Sequence, residues 1–152
     1  MDIIVAAVGK LGRGPEADLA AAYAKRLAWP VTTVECPESR ADTVDQRRAD
    51  EARRLRKALD RADRLIALDE RGATLTSRDL AGQIQTWQDD GCRRLGLIVG
   101  GPDGLDPDLT HEAALTLSLG RLTWPHKLAR AMVYEQLYRA WTITQGHPYH
   151  RD

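Results

Sequence analysis

The chain has 152 residues, with 22 basic and 22 acidic side chains and a formal net charge of zero. Its length suits one ordinary domain with a core, and a composition that is 43% hydrophobic and 29% charged is that of a soluble globular chain. The charge balance excludes a generally basic surface, so any nucleic-acid contact has to come from a local patch. Two cysteines, Cys36 and Cys92, are too few for a disulfide framework and lack metal-ligand spacing. They are expected as reduced thiols in a cytoplasmic protein. The opening MDIIVAAVGK is too short an apolar run for a signal segment or a membrane span. With no internal repeat and no linker, residues 1–152 are expected to form a single domain.

Residues 3–8, IIVAAV, form a continuous apolar run stopped by Gly9, the pattern of a strand buried on both faces. GKLGRGP follows as a loop. Pro15 opens a helix, where its missing N–H costs nothing, and Leu19, Tyr23 and Leu27 give that helix an apolar face. VTTVEC, 31–36, is short and rich in β-branched residues, a second strand. A charged helix from about Thr43 to Arg61 carries one apolar stripe, Ala52, Leu55, Leu59 and Ala62; its other faces read as solvated.

RLIALD, 64–69, is the third strand. Thr76 or Ser77 caps a helix with Leu80, Ile84 and Trp87 on one face, closed by Gly91. LGLIVGG, 95–101, is strand four, Pro107 opens a short helix, and ALTLSLG, 114–120, is strand five. Pro125 starts the last helix, with Leu128, Met132, Leu137, Tyr138 and Trp141 as its apolar positions, and Gly146 ends it. Strands alternating with helices predict an α/β fold: a mainly parallel sheet with helices on both faces. Such sheets keep their ligand crevice beyond the carboxyl ends of the strands. The informative loops are therefore GKLGRG, DERG, GGPDG and GRLTWPHK.

GGPDG, 100–104, is a turn with almost no side chains, against which a ligand can lie on backbone groups. It has neither the Walker pattern nor a GxGxxG running into a helix. A tight turn is the plainer reading. Asp69 in LDERG can hold a ribose or an amine, or simply form a turn. Leu122 and Trp124 put large apolar groups into a loop; if buried, that loop must satisfy its backbone elsewhere, against a flat heterocycle or under the next helix. The tail GHPYHRD holds two histidines, a tyrosine and an arginine, with His126, Lys127, Arg130 and Arg139 before it. That mixture suits base stacking and phosphate binding, or else a frayed terminus. His147 and His150 lack a third metal ligand at useful spacing, so no metal is expected.

LIVGGPDGL followed by SLGRLTWPHKLARAMVYEQLYRAWTITQGHPYHRD resembles the ribosomal RNA large-subunit methyltransferase H family, and the similarity covers the whole chain. The resemblance implies a SPOUT fold with a C-terminal trefoil knot, which general topology rules would not propose. It implies a homodimer and S-adenosylmethionine as cofactor. It implies methyl transfer to N3 of pseudouridine 1915 in the helix 69 stem-loop of 23S rRNA, on assembled ribosomes. Carried over by position, the cofactor residues are Leu68, Gly100, Gly101, Leu119, Gly120, Arg121, Leu122, Thr123 and Trp124. The residues implied to act on the RNA base are His147, Tyr149, His150 and Arg151. The loop reads GGPDG where the family commonly has a glutamate, which leaves the role of Asp103 open. Two other classes remain at this point: a non-catalytic ribosome-binding protein of the same fold, and a nucleotide-dependent enzyme on an open α/β sheet.

Overall fold

In a computed structural model, which describes residues 1–151, the elements alternate as the sequence predicts. They are β1 (Asp2–Val8), α1 (Pro15–Arg26), β2 (Val31–Cys36), α2 (Val44–Ala58), β3 (Arg64–Thr74), α3 (Ser77–Asp89), β4 (Arg94–Val99), α4 (Pro107–Glu112), β5 (Leu115–Ser118) and α5 (His126–Thr144). The five strands form one sheet in the order β2-β1-β4-β3-β5, and every pairing is parallel. Because successive side chains of a strand face opposite ways, Ile3, Val5 and Ala7 join one layer with Leu95, Leu97, Val99, Ile66 and Leu117. Helices α1, α3 and α5 cover that layer. Ala6, Val8, Ala67 and Ile98 join the other, under Ala52 and Leu55 of α2, Leu59 at its C-cap and Leu109 of α4. Each large side chain so buried stabilises by roughly 1.5–3 kcal/mol.

Local chemistry sets the helix boundaries. Thr43 and Gln46 form a reciprocal capping box at the start of α2, and Thr76 with Asp79 does the same for α3, satisfying N–H groups that have no partner inside the helix. The second helix stops at Ala58, short of the expected Arg61. The chain has to turn there because Asp63 Oδ2 accepts the backbone N–H groups of Arg93 and Arg94, both at 2.8 Å, at the foot of β4.

Three further expectations are corrected. Leu19 points to solvent at 43% exposure, and Ala20 takes its place in the core. Along α5 the buried apolar and aromatic positions are Ala131, Val133, Tyr134, Leu137, Tyr138 and Ala140, whereas Leu128, Met132 and Trp141 are half-buried. Strand β3 does not end at Asp69. It runs to Thr74, with a register break that sets both Leu68 and Ala73 opposite Leu117. Residues 69–72 therefore bulge out of the ladder, as extra residues on one strand do.

Candidate active site

Three loops meet at the carboxyl edge of the sheet. Strand β4 ends at Val99 and leads into Gly100–Gly101, β3 supplies its bulge, and β5 leads into the segment from Leu119 to Trp124. Together they line a cleft of about 310 Å³. Gly104 N–H donates to Gly101 O at 3.0 Å and closes the glycine loop into a turn. Ser118, itself buried, donates from Oγ to Gly120 O at 2.8 Å, and Gly120 has a φ of +119° that favours glycine. These contacts aim the chain out across the mouth of the cleft.

Of the nine residues carried over as cofactor contacts, Leu68, Gly100, Gly101, Leu119, Gly120, Leu122, Thr123 and Trp124 line this cleft, and Arg121 does not. Gly101 is required for close packing. A Cβ there would lie 2.9 Å from Val8 Cγ1 and 3.7 Å from Glu51 Oε2, so the loop is pressed onto the end of β1. Leu122 and Trp124 are not buried under α5. They are 71% and 37% exposed, because the chain passes over the mouth of the cleft rather than beneath the helix. Asp69 both lines the cleft and forms the plainer turn, its Oδ1 accepting Arg71 N–H at 2.9 Å. Sequence reasoning missed Arg48, Val99, Leu105 and Ser118, which also line it, as does His126 of the GRLTWPHK loop. Arg48 was hidden because its helix read as a uniformly solvated charged face.

Asp103 now has a visible role. Its carboxylate accepts from Arg47 Nε at 2.6 Å, and its backbone carbonyl accepts from Arg48 Nε at 2.7 Å. The Arg47 hydrogen bond holds the Asp103 carboxyl below its usual range, against a smaller opposing effect of burial. Two arginines of α2 thus clamp the glycine loop from outside.

The C-terminal tail lies elsewhere: none of His147, Tyr149, His150 and Arg151 lines the cleft. The tail is anchored across α1 and α5. The Tyr149 ring meets Tyr138 edge-on at 4.8 Å between centroids, with Arg139 over its face at 4.9 Å. Its hydroxyl donates to Glu135 Oε1 at 3.1 Å and lies 3.1 Å from Tyr23 Oη. Burial, then the bonds to Tyr23 and Glu135, push the phenol above its usual range. Tyr149 in this arrangement is a protonated donor and an anchor. Arg139 lies 3.2 Å from His150 Nδ1; a guanidinium only donates, so Nδ1 accepts and a neutral ring carries its proton on Nε2. His147 Nδ1 accepts from Tyr149 N–H at 3.2 Å. His147 and Arg151 are exposed.

Two basic residues grouped with the tail are already committed. Arg130 is 2% exposed and donates to Glu35 Oε1 at 2.6 Å and to Gly9 O at 3.3 Å. Arg139 is paired with Glu135. The cysteines are free, and burial pushes both thiols up. Among the described residues no helix is long and apolar enough to cross a membrane.

A parallel sheet with a glycine-walled cleft at its carboxyl edge, closed by a loop returning from the last strand, defines a class. The family model for predicted SPOUT methyltransferases matches residues 1–150. Solved structures share the fold: a probable methylase family protein from Haemophilus influenzae has a TM-score of 0.61 at 13% identity, over 99% of this chain and 70% of that one. A probable methyltransferase from Bordetella pertussis also scores 0.61, at 15% identity, over 91% and 95%.

Proteins named ribosomal RNA large subunit methyltransferase H are 48% identical in Brucella anthropi, with all of both chains covered, and 47% in Rhizobium johnstonii, with 99% of each covered. The chain belongs to that family of SPOUT methyltransferases.

Proposed function

We propose that the protein is an S-adenosylmethionine-dependent methyltransferase acting on N3 of pseudouridine 1915 in helix 69 of 23S rRNA, on assembled ribosomes in the cytoplasm. The observation that carries this reading is the convergence of eight family cofactor positions, from three separate loops, on one cleft. The lining fits such a cofactor: Leu68, Val99, Leu117 and Leu119 offer apolar walls to a heterocycle, while Arg48, Asp69 and Glu70 offer charge to an amino-acid tail. S-adenosylmethionine supplies an electrophilic methyl group on a sulfonium. The chain's own work is then alignment, which contributes roughly 7–11 kcal/mol of barrier reduction when reacting groups are held in line.

The imide N3 carries a proton at neutral pH, and the tail is the proposed means of handling it. Arg151 stabilises the developing anion by charge, and a histidine of the tail accepts the proton. For His150 this means giving up Nδ1 from its contact with Arg139. The tail does not reach its own cleft, which supports a homodimer in which each tail serves the partner's cleft. The exposed Leu122 and Trp124 are apolar surface for such a partner or for the base. We place the proposed trefoil knot where Leu119–Trp124 returns past the β3 bulge.

The test is methylation of intact ribosomes by the purified protein, with titration calorimetry against S-adenosylmethionine. Gly101→Val should abolish cofactor binding, and deletion of 147–152 should abolish methylation while sparing it. A folded wild type that binds no cofactor, with or without ribosomes, would remove the enzyme reading in favour of a non-catalytic ribosome binder.

A further inference from the structure

Helix α2 carries five arginines, and four of them are spoken for. Arg47 pairs with Asp103, Arg53 and Arg54 with Asp50, and Arg56 with Glu112. Arg48 is the exception. Among the described residues it has no carboxylate partner, although it is half-buried and lines the cleft. Its Nε is fixed by the backbone carbonyl of Asp103 at 2.7 Å, and its Nη2 would lie 3.8 Å from a Cβ on Gly104. The side chain is therefore held against the glycine loop, with most of its five donors still to be used. Such a fork is preorganised for two parallel bonds to a carboxylate or a phosphate.

The geometry points to Arg48 as the residue that takes the α-carboxylate of the cofactor's amino-acid tail, and so as a determinant of which adenosyl compounds the cleft holds. This rests on the cofactor reading above. A carboxylate on a small molecule is favoured over an RNA phosphate by position: Arg48 shares the cleft with Val99 and Leu105 at the glycine loop. Asp69 and Glu70 line the same cleft and leave room there for the ammonium of a zwitterion. Asp103 holds Arg48 by its backbone carbonyl, while its carboxylate is drawn off by Arg47, which keeps the Arg48 charge available.

The test compares two ligands by calorimetry on the full chain: S-adenosylmethionine, and 5′-deoxy-5′-methylthioadenosine, which keeps the nucleoside and the S-methyl group but lacks the amino-acid tail and the sulfonium charge. Arg48→Ala should weaken the first by roughly ten- to a hundredfold, the range spanned by one hydrogen bond to a charged group, and leave the second unchanged. Arg48→Lys, which keeps the charge without the fork, should fall between. Arg47→Ala loosens the loop without touching the cleft cation and should weaken both ligands alike. Equal loss of both ligands in Arg48→Ala, or no loss of either, overturns the assignment while leaving the cofactor reading standing. Normal cofactor binding by Arg48→Ala with a weakened, less salt-dependent grip on ribosomes would hand the residue to an RNA phosphate and likewise overturn it. A wild type that binds neither ligand removes the cofactor reading and this assignment together.

Discussion

Gly72 is the position where one added methyl group should do most damage. It sits at the end of the β3 bulge, facing the backbone of β5. An ideal Cβ there would lie 2.6 Å from Thr116 O, 2.7 Å from Thr116 C and 2.8 Å from Leu117 C. All three atoms are main chain, so no side chain can swing away, and the strands themselves have to part. Overpacking of a filled site costs about 1–3 kcal/mol, and the backbone on both sides places Gly72→Ala at about 3 kcal/mol. For a chain of this size that lowers the melting temperature by roughly 6–12 °C. It should also weaken cofactor binding, because Asp69, Glu70, Leu117 and Leu119 line the cleft on either side of the parted strands. Thermal unfolding and urea titration measure the first effect and calorimetry the second. The control is Gly82→Ala in α3, where a Cβ meets nothing within 4 Å and the helix should gain about 0.8–1 kcal/mol. If Gly72→Ala melts like the wild type or like the control, the account of the bulge is wrong.

Two smaller predictions concern groups outside the cleft. Glu35 is held below its usual carboxyl range, first by the Leu11 backbone N–H and then by Arg130. Its contribution is thus fully present above the ordinary value near 4.5 and is lost as pH falls through the lower folded value. Urea midpoints should drop between neutral pH and about pH 3, and Glu35→Gln should remove part of that drop; an unchanged acid dependence would show that the pairing with Arg130 does not stabilise the fold. Tyr149→Phe removes the hydroxyl bonds to Glu135 and Tyr23, at a cost of about 0.5–1.5 kcal/mol. Proteolysis of the tail should speed up, and an unchanged cleavage rate would show that the ring contacts alone anchor it.

The order and type of the elements were legible because each carries its own local signal. IIVAAV, short and stopped by Gly9, has the pattern of a doubly buried strand, and Thr43 and Thr76 cap their helices through their side chains. What stayed hidden depended on contacts between distant residues. Arg130 looks like a surface cation in sequence, yet its partner Glu35 lies at the end of another strand. The bulge of β3 reflects a register with β5, not a turn signal in DERG. The aromatic tail suggests nucleic-acid stacking, but Tyr149 is committed to Tyr138 and Arg139. The glycine loop, which the sequence left between a ligand loop and a plain turn, lines the cleft, while its clamp on α2 was invisible because Arg47 and Arg48 lie more than fifty residues away.

The sheet order has a consequence for how the protein is made. Strand β1 is synthesised before the strands that pair with it, and Ile3 waits opposite Leu95. At roughly 5–20 residues per second, its apolar edge spends several seconds with only β2 beside it. The face it shares with β4 closes later still, when α5 arrives with Ala131, Val133, Tyr134 and Leu137. The nascent chain is therefore an unsealed half-sheet for most of translation, dependent on shielding of the sort that slow, non-local topologies require. A stop codon within α5 would do more than trim the tail: it would strand a soluble-looking sequence as an aggregation-prone intermediate.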